Sequence, residues 1–269
     1  MDKLIITIAP TGNVPTKALN PNAVITNDEI VNDLIACQEE GASIAHLHVR
    51  DDNGLPTSDR NRFKDLLDKI QENKLNLITQ LSTGARGGQN TLDYRRQMLD
   101  LNCEMASLST GSSNFPTSIN GNSPELIEAL ANDMAKNNIK PEIEVFDTAM
   151  IKNAVYLKKK GILKPDLHFN LVMNVPGSMA GTPRNLMFLI ESLPQDATFT
   201  VSGIGKSQID MLTLSILMGG HVRTGLEDVL SIDGRHASNV DLIRQVKTIA
   251  HALKREIASP EEARKILNL

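Results

Sequence analysis

The feature that most limits what this chain can fold into is a rhythm. Short runs rich in β-branched residues alternate with helical patterns, and this happens eight times along 269 residues. The runs fall at 4–9, 43–49, 76–81, 105–108, 142–146, 168–175, 198–202 and 221–224. Between them the spacing and end signals predict helices. One covers 28–40, with Ile30, Leu34 and Cys37 on one face and Gly41 as its stop. Another covers 124–137, capped by Ser123 with Pro124 at its first position. Further helices start at Asp147 or Thr148 and end at Gly161, start at Thr182-Pro183, and run over 207–218 up to Gly219-Gly220. Strands that alternate with helices imply βαβ units and a parallel sheet. Eight such units match a (β/α)8 TIM barrel, whose usual length is about 250 residues. A doubly wound open sheet shares the rhythm, but no GxGxxG opens the first helix here. No Pro/Ser-rich linker, charge run or literal repeat divides the chain, so 1–269 reads as a single barrel domain.

Composition narrows the class of function. With 28 basic against 32 acidic residues and a net charge of −4, the chain lacks the basic face that nucleic acid requires. Eight aromatics, none of them Trp, leave little for base stacking. The apolar stretch 4–10 is too short for a membrane span or a signal core. Cys37 and Cys103 stand alone in apolar surroundings, as in a reducing compartment. These features predict a cytoplasmic protein with no nucleic-acid or membrane partner.

In a barrel of this kind, chemistry gathers where the strands end. The second run closes with His46-Leu47-His48-Val49-Arg50. Alternation places both histidines on the face opposite Leu47 and Val49, hence inside the mouth. Two imidazoles at i and i+2 can share one metal ion, with zinc the natural match, or can pair as hydrogen-bonded core residues. The eighth run leads into Arg223-Thr224-Gly225-Leu226-Glu227-Asp228. Adjacent carboxylates repel unless a cation stands between them, so Glu227 is placed to complete a metal site beside strand two. Asp228 then serves as a base oriented by Arg223, or simply caps a helix. Ser82-Thr83-Gly84 ends the third run, and Ser107 and Ser109 end the fourth; each fits either a carboxylate-binding group or ordinary turn chemistry. In the fifth run Glu142 and Glu144 face the axis, Glu144 nearer the mouth. The turn 203–207 suits a phosphate or CoA diphosphate, or a plain tight turn. His168, His221, His236 and His251 are not ligand candidates.

Five motifs together, Ile8-Ala9-Pro10-Thr11-Gly12, His46 to Arg50, Gln80-Leu81-Ser82-Thr83-Gly84, Pro141 to Val145 and Gly219 to Asp228, resemble those of the β-keto acid cleavage enzymes. The segments 175–179 and 183–187 fit the same pattern, so the resemblance spans essentially the whole chain. It implies a TIM barrel, usually tetrameric, with zinc on His46, His48 and Glu227. It implies a base at Asp228 partnered by Arg223 and Ser82, a strand-five carboxylate at Glu144, and a substrate-contacting hydroxyl at Ser107. The implied reaction takes a 3-oxo acid and acetyl-CoA to acetoacetate and a new acyl-CoA, with no covalent enzyme intermediate.

One position departs from the pattern. In the aminohexanoate-cleaving members a Glu soon after strand one pairs with the substrate ammonium, whereas this chain has Val14 followed by Pro15. The expected substrate is therefore a short uncharged 3-oxo acid, with a dicarboxylic acid as the second choice through Arg86 or, less favourably, Lys17. Gly84, Ser107 and Ser109 complete the expected substrate contacts. Two rival readings are a zinc hydrolase of the amidohydrolase type, suggested by HxH alone, and a metal- or acyl-CoA-binding barrel without catalysis. The first wants a carboxylated Lys and two more strand-end histidines, which this chain lacks.

Overall fold

The structure is a computed structural model that describes residues 2–84, 89–115 and 118–269. Eight parallel strands close into a barrel: β1 (Ile6–Ile8), β2 (Ile44–Leu47), β3 (Ile78–Leu81), β4 (Met105–Ser109), β5 (Lys140–Val145), β6 (His168–Met173), β7 (Thr198–Gly203) and β8 (His221–Thr224). Every strand pairs with its neighbour in sequence, and β1 closes the ring by pairing with β8 through Ile6–Val222, Thr7–Arg223 and Ile8–Thr224. This bears out the barrel and sets aside the open sheet.

The helices are α1 (Asn27–Glu39), α2 (Arg60–Glu72), α3 (Leu92–Arg96), α4 (Pro124–Lys136), α5 (Thr148–Lys159), α6 (Pro183–Glu191), α7 (Gln208–Leu217), α8 (Asn239–Ala252) and α9 (Pro260–Leu267). Their starts follow from local chemistry. Thr26 and Glu29 form a capping box on α1, and Ser123 caps α4 ahead of Pro124. Asp147 caps α5, and Thr182 caps α6 ahead of Pro183. Helix α7 is preceded by a 3-10 turn, Gly205–Ser207, so it begins one residue later than the pattern predicts.

Alternation along the strands makes two interiors. Side chains such as Leu47, Ile143 and Val145 point outward into the apolar layer under the helices. Inside the barrel, the N-terminal end holds Ile5, Ile44, Ile78 and Met105, sealed by Ala258, Ala263 and Leu267 around α9. Leu4 bridges Ile257 in parallel, which holds that segment against the opening. The barrel is thus stoppered at one end. An open polar cavity can form only at the other, where the strands finish.

Strand β2 is shorter than its sequence run. It stops at Leu47, and Val49–Arg50 pair instead with Pro56–Thr57 in a small hairpin. The buried guanidinium of Arg50 explains the departure. It donates to the carbonyls of Gly54, Gly12 and Pro15, so the chain must leave the barrel wall to serve the loop after β1.

Candidate active site

A cavity of about 660 Å3 opens at the C-terminal ends of the strands. Its floor carries the charged cluster expected there. His46 Nε2 lies 3.3 Å from His48 Nε2, and Glu227 Oε2 lies 3.7 Å and 3.5 Å from those two nitrogens. A tetrahedral ion with bonds of about 2.0–2.1 Å separates its ligands by about 3.4 Å, so the three atoms fit one such ion. Among the described residues, no hydrogen-bond donor reaches the buried Glu227 Oε2. A buried carboxylate oxygen left without a donor is costly unless a cation completes it. Among the described residues, this is the one group of three or more His, Cys, Asp or Glu side chains close enough to share a metal.

The surroundings prepare the donors. Gln80 Oε1 faces His46 Nδ1 at 2.6 Å, which assigns the ring proton to Nδ1 and leaves Nε2 with its lone pair toward the cluster. Burial, with Arg223 nearby, pushes the His46 imidazolium down to about 4, so the ring is neutral at pH 7. Burial opposes the charge on Glu227, yet Arg223 and then the two imidazoles hold its carboxyl well below the ordinary range.

Arg223 is the hub. Its Nε and Nη2 donate to the two oxygens of Asp228 at 3.0 and 2.7 Å. Nη2 also reaches Glu227 Oε1 at 3.0 Å, and Nη1 stands 3.6 Å from Glu144 Oε1. Three carboxylates on one buried guanidinium hold it charged well above its usual range despite desolvation. Burial pushes Asp228 up from the usual carboxylate range, and Arg223 acts in the opposite sense. Burial likewise raises Glu144, to about 7, with Arg223 opposing and Glu142 and Glu227 adding to the rise. Ser109 Oγ donates to Glu144 Oε2 at 3.0 Å.

The loop after β8 is held by backbone and by glycine. Gly225 has φ +147°, and a Cβ there would strike the carbonyl of Ala9. Gly12 faces the Glu227 side chain so closely that a Cβ would collide with its Cγ. Asn239 accepts from Leu226 N at 2.8 Å and donates to Pro10 O at 3.0 Å and Asp33 Oδ2 at 2.6 Å. The loops after β1 and β8 therefore form one rigid seam beneath the carboxylates.

Of the residues singled out in the sequence, His46, His48, Ser82, Gly84, Ser109, Glu144, Arg223, Glu227, Asp228 and Val14 line this cavity. Ser107 does not: it is 1% exposed, and its Oγ accepts from Thr83 N at 3.1 Å. The cause is depth, since Ser107 lies one inward step below Ser109. Ser82 Oγ accepts from Gly84 N at 3.3 Å and, among the described residues, makes no bond to Asp228. Arg86 lies outside the described residues. Lys17 pairs with Glu29 at 2.9 Å, away from the cavity. Asp228 sits in a turn bound to Arg223, while α8 is capped by Ser238, so the helix-cap role does not apply. His168 and His221 are core residues: His168 bonds Thr198 Oγ1 at 2.8 Å and Thr200 Oγ1 at 3.2 Å, and His221 Nδ1 accepts from Ile5 N at 3.1 Å. Gln80 and Arg95 escaped the sequence reading. The inward alternation of β3 was the only signal for Gln80.

Comparison with known proteins supplies the context. The sequence profile described as "beta-keto acid cleavage enzyme" matches residues 3–269. The chain is 44% identical over 272 residues to a 3-keto-5-aminohexanoate cleavage enzyme of Acetoanaerobium sticklandii, covering 100% of this chain and 99% of that protein. It is 41% identical over 270 residues to a 3-oxoadipate:acetyl-CoA acetyltransferase of Cupriavidus necator, covering 98% and 94%. Among solved structures, the apo form of ObcA superposes with a TM-score of 0.82 at 20% identity, over 93% of this chain and 66% of that one, a likeness of fold.

Proposed function

The chain belongs to the beta-keto acid cleavage enzymes, and on that premise we propose that it is a metal-dependent acyltransferase. It would convert a 3-oxo acid and acetyl-CoA into acetoacetate and the acyl-CoA of the original chain. The observation that carries this reading is Asp228. It is gripped at both oxygens by Arg223 and stands one residue from a three-donor cluster on a largely apolar cavity.

His46, His48 and Glu227 would hold the ion, and imidazole with carboxylate suits zinc. When bound, a divalent ion there supplies electrophilic stabilisation of negative charge on the keto oxygen. The protein does the rest. Asp228 takes a proton from C2, the carbon between the two carbonyls; its raised proton affinity suits that task, and Arg223 fixes its two oxygens in place. The C2 carbanion attacks the acetyl thioester and displaces coenzyme A. The released thiolate adds to the former C3 carbonyl, the C2–C3 bond breaks to leave the new thioester, and the departing C2 carbanion takes back the proton from Asp228 as acetoacetate. Glu144, raised to about 7, is suited to pass a proton near the mouth. Cys37 and Cys103 are buried away from the cavity, in keeping with a route that needs no enzyme nucleophile.

Substrate choice follows from the walls. Among the described residues lining the cavity, every ionisable one belongs to the cluster of His46, His48, Glu144, Arg223, Glu227 and Asp228. The outer wall is built from Val14, Pro15, Phe115, Val175, Leu226 and Leu230. Among the described residues neither an ammonium nor a second carboxylate finds a counter-charge on that wall, which favours a short uncharged 3-oxo acid, with a dicarboxylic acid through Arg86 as the second choice. The same reading takes the working form to be a cytoplasmic tetramer.

The test is acetoacetate formation by purified protein from acetyl-CoA and neutral, cationic and dicarboxylic 3-oxo acids, with and without a chelator. Metal-dependent turnover that is fastest with neutral acids is expected. A clear preference for the dicarboxylic acid would overturn the specificity, and silence across the panel with one ion per chain would overturn the reaction.

A further inference from the structure

Arg95, on the short helix α3, is the least expected charge in the molecule. It is 1% exposed and has no carboxylate within ion-pair distance among the described residues. Among the described residues its guanidinium donates to neutral acceptors: Nε to Thr83 O at 2.6 Å, Nη1 to Asn90 Oδ1 at 3.1 Å and Gly121 O at 3.0 Å, and Nη2 to Asn122 Oδ1 at 2.7 Å. Burial lowers its pKa to about 10, so it stays a cation at neutral pH. An ion buried without a directly bonded counter-ion is expensive, and here only the more distant charge of Glu144 opposes the cost of burial.

The bond to Thr83 shows where the charge is directed. In a trans peptide, the carbonyl of one residue and the N–H of the next point in opposite directions. The Thr83 carbonyl faces Arg95, so the Gly84 N–H faces away from it, toward Ser82 Oγ at the cavity wall. That peptide cannot rotate freely. Thr83 N donates to Ser107 Oγ at 3.1 Å, and Thr83 Oγ1 donates to Ser107 O at 2.7 Å. The 3.3 Å bond between Gly84 N and Ser82 Oγ is long, so the fixed N–H and the rotatable hydroxyl both remain available to a better acceptor. Two donors thus converge at the cavity wall, backed by a buried positive charge one peptide behind them.

We propose that Arg95 is a positioning residue that sets the Ser82–Gly84 turn as a seat for the carboxylate of the 3-oxo acid and supplies that seat with its charge. This rests on the substrate class proposed above. It gives Ser107 a different task from the substrate contact implied by resemblance: Ser107 locks the turn from below. It also separates two roles at the mouth. The cluster on Arg223 handles the keto group and the proton, and the turn on Arg95 handles the acid.

The test compares wild type, Arg95→Met and Arg95→Lys as metal-loaded enzymes. Binding of acetoacetate and of its neutral isostere acetoacetamide is measured by calorimetry, alongside KM for the 3-oxo acid and for acetyl-CoA. Wild type should prefer acetoacetate by about tenfold or more. In Arg95→Met that preference should collapse toward one and KM for the 3-oxo acid should rise about tenfold, while KM for acetyl-CoA stays within about twofold. Arg95→Lys should recover part of the preference. A preference retained in Arg95→Met, or both KM values rising together with a loss of thermal stability, would overturn the proposal in favour of a purely structural arginine. Should Arg95→Met fail to fold, equal binding of the two ligands by wild type still overturns it. A wild type that binds acetoacetate selectively but turns over no 3-oxo acid would defeat the proposed reaction and support the seat.

Discussion

The barrel contains two histidine–carboxylate clusters, and they end up in opposite conditions. At the stoppered end, His168 lies 3.7 Å from Glu142, with both ring nitrogens bonded to threonines and Glu142 held by Asn170 at 3.1 Å. At the mouth, His46, His48 and Glu227 face one another at similar distances and line the cavity. The residue types are the same, and among the described residues each cluster leaves one carboxylate oxygen without a hydrogen-bond partner, Glu142 Oε1 and Glu227 Oε2, so neither feature distinguishes structure from function here. What differs is that both His168 nitrogens are taken up by threonines, whereas one ligand atom each from His46, His48 and Glu227 converges at the cavity. A cluster whose imidazole is spent on its own neighbours belongs to the barrel core; one whose ligand atoms converge on a cavity is shaped for something that arrives.

Breaking that contrast at its most reactive point should have the largest effect. Asp228→Asn keeps the shape of the side chain but not its basicity, and should lower kcat by about 10³-fold with metal content unchanged. Near-normal kcat would remove Asp228 from the proton transfer. Gly225→Ala attacks the seam beneath the cluster, because it places a Cβ against the Ala9 carbonyl at φ +147°. A loss of about 3–4 kcal/mol is expected by denaturant titration, and a neutral result would mean that the seam yields more readily than it looks. His168→Ala sharpens the comparison from the other side. It should cost about 2–3 kcal/mol of stability and leave kcat per folded molecule within about twofold, whereas a large loss of kcat would make the closed-end cluster functional after all.

The smallest effect concerns Asp33, which burial raises to about 6 despite its bond from Asn239. A carboxyl whose folded pKa lies above its unfolded value favours folding in its protonated form. That contribution is fully present below about pH 4 and fades as the pH rises through about 6. Asp33→Asn should therefore flatten the fall in stability across that window and gain about 1–2 kcal/mol at pH 8. An unchanged pH profile would show that solvent already reaches the carboxylate.

Much of this was legible in the chain. Eight alternations pointed to a barrel over an open sheet, and the parity of β2 put both histidines inside it. Sequence order placed β8 next to β1, which brought Glu227 to the histidines from 181 positions away, the difference between 227 and 46. What parity conveys is side, not depth. Ser107 and Ser109 share a face, yet only Ser109 reaches the cavity, and Glu142 and Glu144 divide in the same way. Arg95 was invisible for another reason. In sequence it reads as one of two adjacent arginines on a short exposed-looking helix, and its burial is decided by carbonyls of loops far along the chain. Arg50 was read only as the end of a motif, for the same cause.

The pairing of β1 with β8 also has a temporal meaning. Two donors of the cluster are in place once β2 has formed, but the third belongs to a loop that is correctly set only when the final strand docks against the first. Contacts of such long sequence separation are made late and slowly in folding. No partial barrel that lacks its last strand can hold an ion with all three groups. Acquisition of metal during refolding should therefore lag behind the growth of helical signal, and its rate should clock the moment at which the ring closes.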